Sequence, residues 1–391
     1  MLKDTVSKSP YGDEKNQEKI EKINRRRSQE DLEEIILLFL GPRLAGKTTI
    51  KERIFDGLQP TQIIYVEQTI EVRVDTQMNA FAKMKIVDFP GMKDLSEVPQ
   101  DTWHLPASEN GLDIGDNTAK LAVIYVIDSQ DGQSYRNALT DLYKSAELLK
   151  NYNKNLTFDI FMHKSDGLNE EELNAIHDDT LSYIENINDV GIQISTTSAM
   201  DQTIFDAMSK VIQKRIPEQA QLEKWLNLMI NNANVAKAYL MDVRTKLFIA
   251  TDSSPAENTQ LSIYEICSGM IEMGRHRTNQ KGDLVVVGSC FEGNIRPNSV
   301  WQTRHYEATL EIGGRCRPYD SDEDIMPAFD ENHESWVTMK EEIVLCLYGI
   351  TSNLALVCVV REDALNQRGI MMYNLNLFRQ TIRKTLEQSR T

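Results

Sequence analysis

The chain of 391 residues lacks long apolar segments, has few cysteines and carries no excess of positive charge. No stretch approaches the roughly 20 apolar residues that a membrane-spanning helix requires. The net charge of −16 at pH 7 argues against partners with a phosphate backbone, so we expect no nucleic-acid binding. The five cysteines and six histidines show no paired metal-ligand spacing, which argues against a zinc site and indicates reduced thiols, as in cytoplasmic proteins.

The sequence also lacks the short motifs that attach lipids. Its second residue is Leu2 rather than the glycine that myristoylation requires, and no cysteine motif lies at its C-terminal end. We therefore expect contact with membranes only through protein partners. A mixed-charge segment at 15–34, which includes three consecutive arginines at 25–27, predicts a charged and disordered arm over residues 1–33.

Residues 35–49 join a continuous apolar run to a glycine-rich motif. The run at 35–40 predicts a parallel strand that is buried on both faces. The following motif, G-x-x-x-x-G-K-T, lets the backbone curl so that successive N–H groups surround an anion, and a helix starting near Lys47 adds free N–H groups. The sequence therefore predicts a loop that binds nucleotide phosphates. Its residues are Gly41, Arg43, Leu44, Ala45, Gly46, Lys47, Thr48 and Thr49.

Two side chains of this loop and a second strand define the expected phosphate and metal contacts. The Lys47 ammonium group can reach the β- and γ-phosphates, and the Thr48 hydroxyl group can ligate Mg²⁺. The strand at 84–88 ends in a D-x-x-G motif. We expect Asp88 to hold Mg²⁺, usually through a water molecule, and the Gly91 amide to contact the γ-phosphate.

A third strand ends in H-K-S-D at 163–166, a variant of the N-K-x-D guanine motif. The Asp166 carboxylate can accept from both N1–H and N2–H₂ of guanine, a donor pair that adenine lacks on that edge. Lys164 is expected to lay its aliphatic part along the base. His163 replaces the usual asparagine, and the interpretation that it is simply a solvated residue at the strand end stays open.

The sequence Thr197-Ser198-Ala199 follows a strand-like stretch at 190–194. We expect Ser198 and Ala199 to offer a backbone N–H group to guanine O6. The motifs then occur in the order and at the approximate separations of a Ras-like GTPase domain. A further strand at 121–128 and amphipathic segments near 136–150, 169–186 and 201–216 complete an alternating pattern. This pattern predicts an α/β fold with a doubly wound, mostly parallel sheet.

Several stretches resemble one branch of small GTPases, the Rag family, and within it the C/D type. His163 to Leu168 has the sequence H-K-S-D-G-L of that branch, and the D-F-P-G sequence at 88–91 also matches. The likeness covers roughly residues 35–272 and 340–388. Other similar stretches lie at 125–131, 204–217 and 248–255.

The resemblance implies GTP or GDP with Mg²⁺ as cofactors and adds the first switch. The sequence Glu67-Gln68-Thr69 is similar to the E-S-T sequence of the family, so Thr69 is expected to complete the Mg²⁺ and γ-phosphate contacts, with Thr61 as the alternative. Lys47, Thr69 and Gly91 are then the expected catalytic residues.

The second switch departs from the family pattern. The family commonly has glutamine after D-x-x-G, where it orients the attacking water, whereas this chain has Met92. The segment from Lys93 to Lys120 is longer and less helical in character than the family's second switch. Slow GTP hydrolysis is therefore expected.

Residues 218–391 predict a second α/β unit with an antiparallel sheet. Apolar stretches at 238–243 and 247–250 flank a short turn and indicate a hairpin. The unit resembles the roadblock-type dimerisation domain of Rag proteins and follows a Ras-like GTPase domain at 34–217. Residues 275–340 are polar and predict a flexible insertion. Other expected elements are helices at 222–230 and about 259–273, strands near 284–288, 305–312, 341–349 and 354–360, and a final helix with Met371, Leu375, Phe378, Ile382 and Leu386 on one face.

The resemblance implies one half of a Rag heterodimer with an A/B-type Rag GTPase. The resemblance implies that a Ragulator-like roadblock scaffold holds such a heterodimer on the lysosomal membrane, where it recruits TOR complex 1 in response to amino acids. A folliculin-type GTPase-activating protein is a further expected partner. The cytoplasm and the nucleus are the other expected locations. The alternative is a nucleotide-locked structural subunit of the same heterodimer. The H-K-S-D motif argues against a third class, P-loop kinases and ATPases.

Overall fold

The computed structural model describes a large part of the chain as two sheets with flanking helices. The described residues are 33–91, 120–132, 134–153, 156–184, 192–233, 235–253, 267–268, 271, 300–302, 307–313, 334–339, 343–361 and 368–388. Residues 1–32 of the arm expected at 1–33, Met92, most of the second switch and the strand expected near 284–288 lie outside these residues.

The first sheet has six strands in the order β2-β3-β1-β4-β5-β6, and only β2 runs antiparallel to its neighbour. Strands β1, β4 and β5 are almost fully buried, as their continuous apolar sequences predict. The bounds are Glu34–Leu40 for β1, Arg73–Met78 for β2, Lys83–Asp88 for β3, Lys120–Asp128 for β4, Thr157–His163 for β5 and Gln193–Thr197 for β6.

Helices cover both faces of this sheet, which confirms the predicted fold class. Side chains alternate along β1, so Leu37 packs with the helices of one face and Leu38 with those of the other. On the Leu37 side lie α1 (Lys47–Phe55) and α4 (Thr203–Gln213). On the Leu38 side lie α2 (Ser134–Tyr152) and α3 (Glu170–Ile184).

The parallel strands bring the four sequence motifs to one edge of the sheet. The register pairs Phe39 near the end of β1 with Asp88, Asp128 with His163, and His163 with Thr197. Because parallel strands point in the same direction, the loops that follow their carboxyl ends meet there. A six-residue 3-10 helix, Pro60–Tyr65, lies on the connection between α1 and β2.

The second sheet has seven strands in the order β8-β7-β13-β12-β11-β10-β9, and every described pair is antiparallel. The predicted hairpin is β7 (Val235–Asp242) and β8 (Phe248–Thr251). The remaining elements are α5 (Gln219–Ala233), β9 (Val300–Gln302), β10 (Glu307–Gly313), β11 (Glu334–Met339), β12 (Ile343–Gly349), β13 (Leu354–Arg361) and α6 (Arg368–Gln388).

Three of these strands lie in the region for which the sequence predicts a flexible insertion. Strands β9, β10 and β11 fall within 275–340 and extend the sheet beyond β12. Strand β10 coincides with the strand expected near 305–312, and the flexible insertion stays a prediction. Of the helix expected at about 259–273, only 267, 268 and 271 are described, and they are helical.

Helix α6 has a buried face and an apolar exposed face. The five predicted core residues, from Met371 to Leu386, are all buried. On the opposite side Ile370, Tyr373 and Leu377 are 51 %, 65 % and 44 % exposed. Among the described helices, none has the length and apolar character needed to cross a membrane.

The two sheets share one apolar core through α4 and β8. A single cluster of buried residues runs from Leu37 in the first sheet to Leu386 in α6. Ser209 of α4 accepts the backbone N–H of Phe248 at 2.9 Å, and Gln213 Nε2 donates to the Phe248 carbonyl oxygen at 3.0 Å. Side chains of α4 therefore bond to both backbone groups of the first residue of β8.

We predict that Ser209→Ala destabilises the whole chain by about 1–3 kcal/mol, because it leaves the buried Phe248 N–H group without an acceptor. Chemical unfolding of the full-length protein, followed by circular dichroism, measures the change. Ser182→Ala is the matched control. Ser182, like Ser209, donates its hydroxyl group to a carbonyl oxygen of its own helix, but it lies on the surface, so its substitution should change stability by less than about 0.5 kcal/mol. Equal effects of the two substitutions would contradict the role of the α4–β8 contact.

Candidate nucleotide-binding site

The loop between β1 and α1 has the backbone conformation of an anion cradle. Gly41, Leu44 and Gly46 have positive φ values of 131°, 65° and 103°. A Cβ atom on Gly41 would lie 2.2 Å from the carbonyl oxygen of Val126 in β4, so only glycine fits there. Within the loop Ala45 is fully buried, and Thr49 is half-buried in the first turn of α1.

Lys47 lies inside the curve of this loop. Its Nζ atom donates to the carbonyl oxygens of Gly41 at 2.9 Å and Pro42 at 2.8 Å. Burial lowers the pKa of Lys47 to about 8, although the negative charge of Asp88 opposes the shift. The side chain is thus buried and oriented along the loop, where a phosphate group would stabilise its charged form.

Three oxygen-bearing side chains meet beside Lys47. Thr48 Oγ1 lies 2.6 Å from Thr69 Oγ1, and these hydroxyl groups donate to Asp88 Oδ2 at 2.8 Å and 3.0 Å. Asp88 is fully buried, and its other carboxylate oxygen, Oδ1, has no hydrogen-bond partner among the described residues. A buried, unpartnered carboxylate oxygen next to two hydroxyl groups suits a hard cation such as Mg²⁺.

Thr61, the alternative residue for the first switch, is not part of this cluster of hydroxyl and carboxylate groups. Thr61 is exposed in the 3-10 helix Pro60–Tyr65, whereas Thr69 is 5 % exposed and contacts Asp88. The described part of the chain contains no group of three or more His, Cys, Asp or Glu side chains arranged to hold a metal ion. The hydroxyl–carboxylate cluster is therefore the arrangement to consider for a cation.

Arg43 connects the loop between β1 and α1 with the D-x-x-G segment and with the segment that contains Thr69. A Cβ atom on Gly91 would lie 2.2 Å from the Cα atom of Arg43, so the D-x-x-G segment packs directly against the loop. The Arg43 guanidinium group donates to Gln68 Oε1, one residue before Thr69. The sequence gives no indication of this contact between Arg43 and Gln68.

His163 lies under the phosphate loop and is only 2 % exposed, so the interpretation that it is a solvated residue at the strand end is wrong. A Cβ atom on Gly46 would lie 2.5 Å from Cδ2 of the imidazole ring. On the other side, His163 Nδ1 is 3.1 Å from Thr197 Oγ1. Burial, with a smaller contribution from the charge of Lys164, lowers the pKa of His163 to about 4. The neutral ring therefore joins the phosphate loop to the T-S-A segment.

The T-S-A segment holds the guanine-motif carboxylate. Ser198 Oγ donates to Asp166 Oδ1 at 2.5 Å, and Asp166 is exposed at the edge of the sheet. The Ser198 backbone N–H group donates to Thr203 Oγ1 at 2.8 Å and is already used within the protein. Of the two amides predicted to contact guanine O6, that of Ala199 is thus the better donor.

Lys164 is held by residues at the end of β4. It has a positive φ of 62°, its Nζ atom lies 2.6 Å from Asp128 Oδ2, and its carbonyl oxygen accepts from Gln130 Nε2 at 2.8 Å. Asp128 and Gln130 belong to none of the site motifs that the sequence predicts. Their position at the carboxyl end of a buried strand, opposite the end of β5, is the signal that could place them at the site, because ligands bind at the carboxyl ends of parallel strands.

Comparisons with known proteins agree with this arrangement. Residues 36–271 match the family described as the Gtr1/RagA G protein conserved region. The chain is similar to Ras-related GTP-binding protein D of Mus musculus, with 31 % identity over 358 residues that cover 90 % of this chain and 68 % of the relative. It is 30 % identical to Ras-related GTP-binding protein C of Homo sapiens, over 90 % of this chain and 76 % of that protein. It is 29 % identical to the GTP-binding protein gtr2 of Schizosaccharomyces pombe, over 88 % and 96 % respectively.

We predict that His163→Asn makes the protein less sensitive to acid. An unfolded histidine titrates near 6.5 and the folded His163 near 4, so the unfolded chain binds more protons between these values and stability falls as the pH drops through that window. The free energy of unfolding of the wild type should therefore decrease by about 2 kcal/mol more than that of His163→Asn between pH 7 and pH 4.5.

Chemical unfolding at the two pH values measures this difference. His177→Asn is the control, because the His177 side chain is 40 % exposed, and it should keep the pH dependence of the wild type. The same pH dependence in His163→Asn and in the wild type would contradict the buried neutral state of His163.

Proposed function

This chain belongs to the Gtr1/RagA G protein family, as its resemblance to C/D-type Rag proteins led us to expect, and we propose that it is a guanine-nucleotide-binding switch protein. The observation that carries the proposal is the cluster of Thr48, Thr69 and Asp88 beside the phosphate loop, with a buried carboxylate oxygen that lacks a partner among the described residues.

The phosphate end of the nucleotide would be held by backbone and side-chain donors. The N–H groups of the positive-φ loop surround the phosphates, and Lys47 exchanges its two loop carbonyls for β- and γ-phosphate oxygens. Thr48 and Thr69 would provide direct oxygen ligands for Mg²⁺, with Asp88 beside them. When bound, the cation neutralises phosphate charge.

The base would be selected at the other end of the site. The Asp166 carboxylate accepts from N1–H and N2–H₂ of guanine, and Ser198 fixes its orientation. The Ala199 N–H group donates to O6, while the aliphatic part of Lys164 lies along the ring. The Lys164–Asp128 pair supports this orientation of the lysine side chain.

Nucleotide state would act through the first switch. Thr69 lies on a segment whose exposed apolar side chains are Ile64, Tyr65 and Ile70, at 78 %, 76 % and 80 % exposure. If Thr69 leaves Asp88 after the γ-phosphate is lost, this segment rearranges and its apolar surface changes. An exposed apolar surface of this kind is what a protein that senses nucleotide state can recognise.

We further propose that hydrolysis of GTP to GDP is slow, because Met92 has no amide to orient the attacking water. Lys47, Thr69 and the Gly91 amide would still stabilise charge on the γ-phosphate. This departure from the family pattern favours a second candidate function, a nucleotide-locked structural subunit that binds GTP or GDP tightly and hydrolyses it weakly.

The resemblance to C/D-type Rag proteins also suggests partners. We propose a heterodimer with an A/B-type Rag GTPase through the C-terminal unit, 218–391, as a roadblock-like domain, with the GTPase domain at 34–217. The apolar stripe of Ile370, Tyr373 and Leu377 on α6 supports an interface on this unit. The further proposed partners are a Ragulator-like scaffold at the lysosome, TOR complex 1 in amino-acid signalling, and a folliculin-type GTPase-activating protein.

We predict that Asp166→Asn transfers specificity from guanine to xanthine nucleotides. An amide cannot accept from both guanine donors but can donate to O2 of xanthine, so GTP affinity should fall roughly 10- to 100-fold and affinity for xanthosine triphosphate should rise. Equilibrium titration with fluorescent derivatives of both nucleotides measures the change. Asp178→Asn, on the exposed side of α3, should bind both like the wild type. Unchanged GTP affinity in Asp166→Asn would overturn the assignment of the base site.

We predict that Met92→Gln raises the single-turnover rate of GTP hydrolysis by about tenfold or more if the missing amide limits water orientation. Phosphate release from preloaded protein measures the rate, and Met92→Leu is the control without an amide. An accelerated Met92→Gln variant and a slow but measurable wild type favour the switch. No hydrolysis by either protein, with GTP retained, favours the nucleotide-locked subunit.

A further inference from the structure

Arg53 is a buried charged residue that connects two parts of the site. It lies in the last turn of α1, is 9 % exposed, and belongs to none of the sequence motifs. Its guanidinium carbon is 5.1 Å from the ring centroid of Phe205, in the first turn of α4. A buried guanidinium group needs hydrogen-bond acceptors, and the identity of those acceptors gives Arg53 its significance.

Two of its acceptors are backbone carbonyl groups in loops outside α1. Arg53 Nε donates to the carbonyl oxygen of Ala199 at 3.3 Å, and Nη1 donates to that of Leu58 at 2.9 Å. Ala199 carries the N–H group expected to contact guanine O6. Leu58 lies on the connection that leads from α1 into the first switch.

Side chains from other elements hold the T-S-A segment at both Ser198 and Ala199. Ser198 is held twice, by Thr203 at its N–H group and by Asp166 at its hydroxyl group. The Ala199 carbonyl group is held by Arg53. The Ala199 N–H group lies in the peptide plane between Ser198 and Ala199. The plane before it is held by Thr203 and the plane after it by Arg53, and this restricts the direction of the N–H group.

We propose that Arg53 is a positioning residue for guanine recognition, which aims the Ala199 N–H group at O6 and joins this loop to the segment that enters the first switch. The inference rests on the proposed guanine site. Arg53 does not touch the nucleotide itself; it acts through Ala199. Its planar guanidinium group can donate to two acceptors in different directions. The compact ammonium group of a lysine does not reproduce this geometry.

The competing explanation is a purely structural role, since an arginine near the end of a helix also interacts favourably with the helix dipole and packs on Phe205. That role predicts a general loss of stability and equal loss of affinity for every nucleotide. The positioning role predicts a loss confined to interactions with the O6 atom. The two are separated by nucleotides that differ only at single base positions.

The test uses the full-length protein and three diphosphates: GDP, 6-thioguanosine diphosphate and inosine diphosphate. The sulfur of 6-thioguanine is a weak acceptor in place of O6, and inosine lacks only the N2 amino group that faces Asp166. The wild type should prefer GDP over the 6-thio compound by about tenfold. In Arg53→Met, which keeps an apolar stem on Phe205, this preference should fall to about twofold, while the preference for GDP over inosine diphosphate stays unchanged.

Arg53→Lys should give an intermediate preference, and it decides the question if Arg53→Met does not fold. Arg136→Met, which removes a guanidinium group from the surface of α2, should leave all three affinities unchanged. Equal losses for GDP and the 6-thio compound in the Arg53 variants would overturn the positioning role and leave a structural one. If the wild type binds none of the three, the proposed function itself fails, which is a different outcome.

Discussion

The close approach between Gly41 and the carbonyl oxygen of Val126 is the constraint on which the site depends. A Cβ atom at position 41 would lie 2.2 Å from that oxygen, so the phosphate loop rests directly on β4. Asp88 at the end of β3 and His163 at the end of β5 are then set at fixed places on either side of the loop. The hydroxyl–carboxylate cluster and the histidine contact both follow from this position of the loop over a parallel sheet.

The features that sequence predicts well are those encoded within a few neighbouring residues. Examples are the apolar run of β1, the glycine spacing of the phosphate loop and the hairpin of β7 and β8. Each is determined by neighbouring residues, and the structure has each at the expected position. The same holds for α6, whose five predicted core residues repeat at helical spacing and are buried. The mostly parallel sheet followed from the alternation of such local elements.

The features that sequence missed depend on contacts between distant segments. Arg53 and Ala199 are separated by 146 residues, and Arg43 and Gln68 by 25, so no local pattern indicates either hydrogen bond. The burial of His163 could not be foreseen either, because it results from the loop before α1 folding over the end of β5.

Helix α4 has the T-S-A segment at its first turn and the second sheet at its last turns. Thr203 accepts the Ser198 N–H group, and Ser209 and Gln213 bond to both backbone groups of Phe248 in β8. Thr203 and Gln213 are the first and last residues of one 11-residue helix, so the two regions share one rigid element. Thermodynamic reciprocity then applies: if a ligand of the second sheet strains α4, it changes nucleotide affinity, and the nucleotide changes the affinity of that ligand by the same factor.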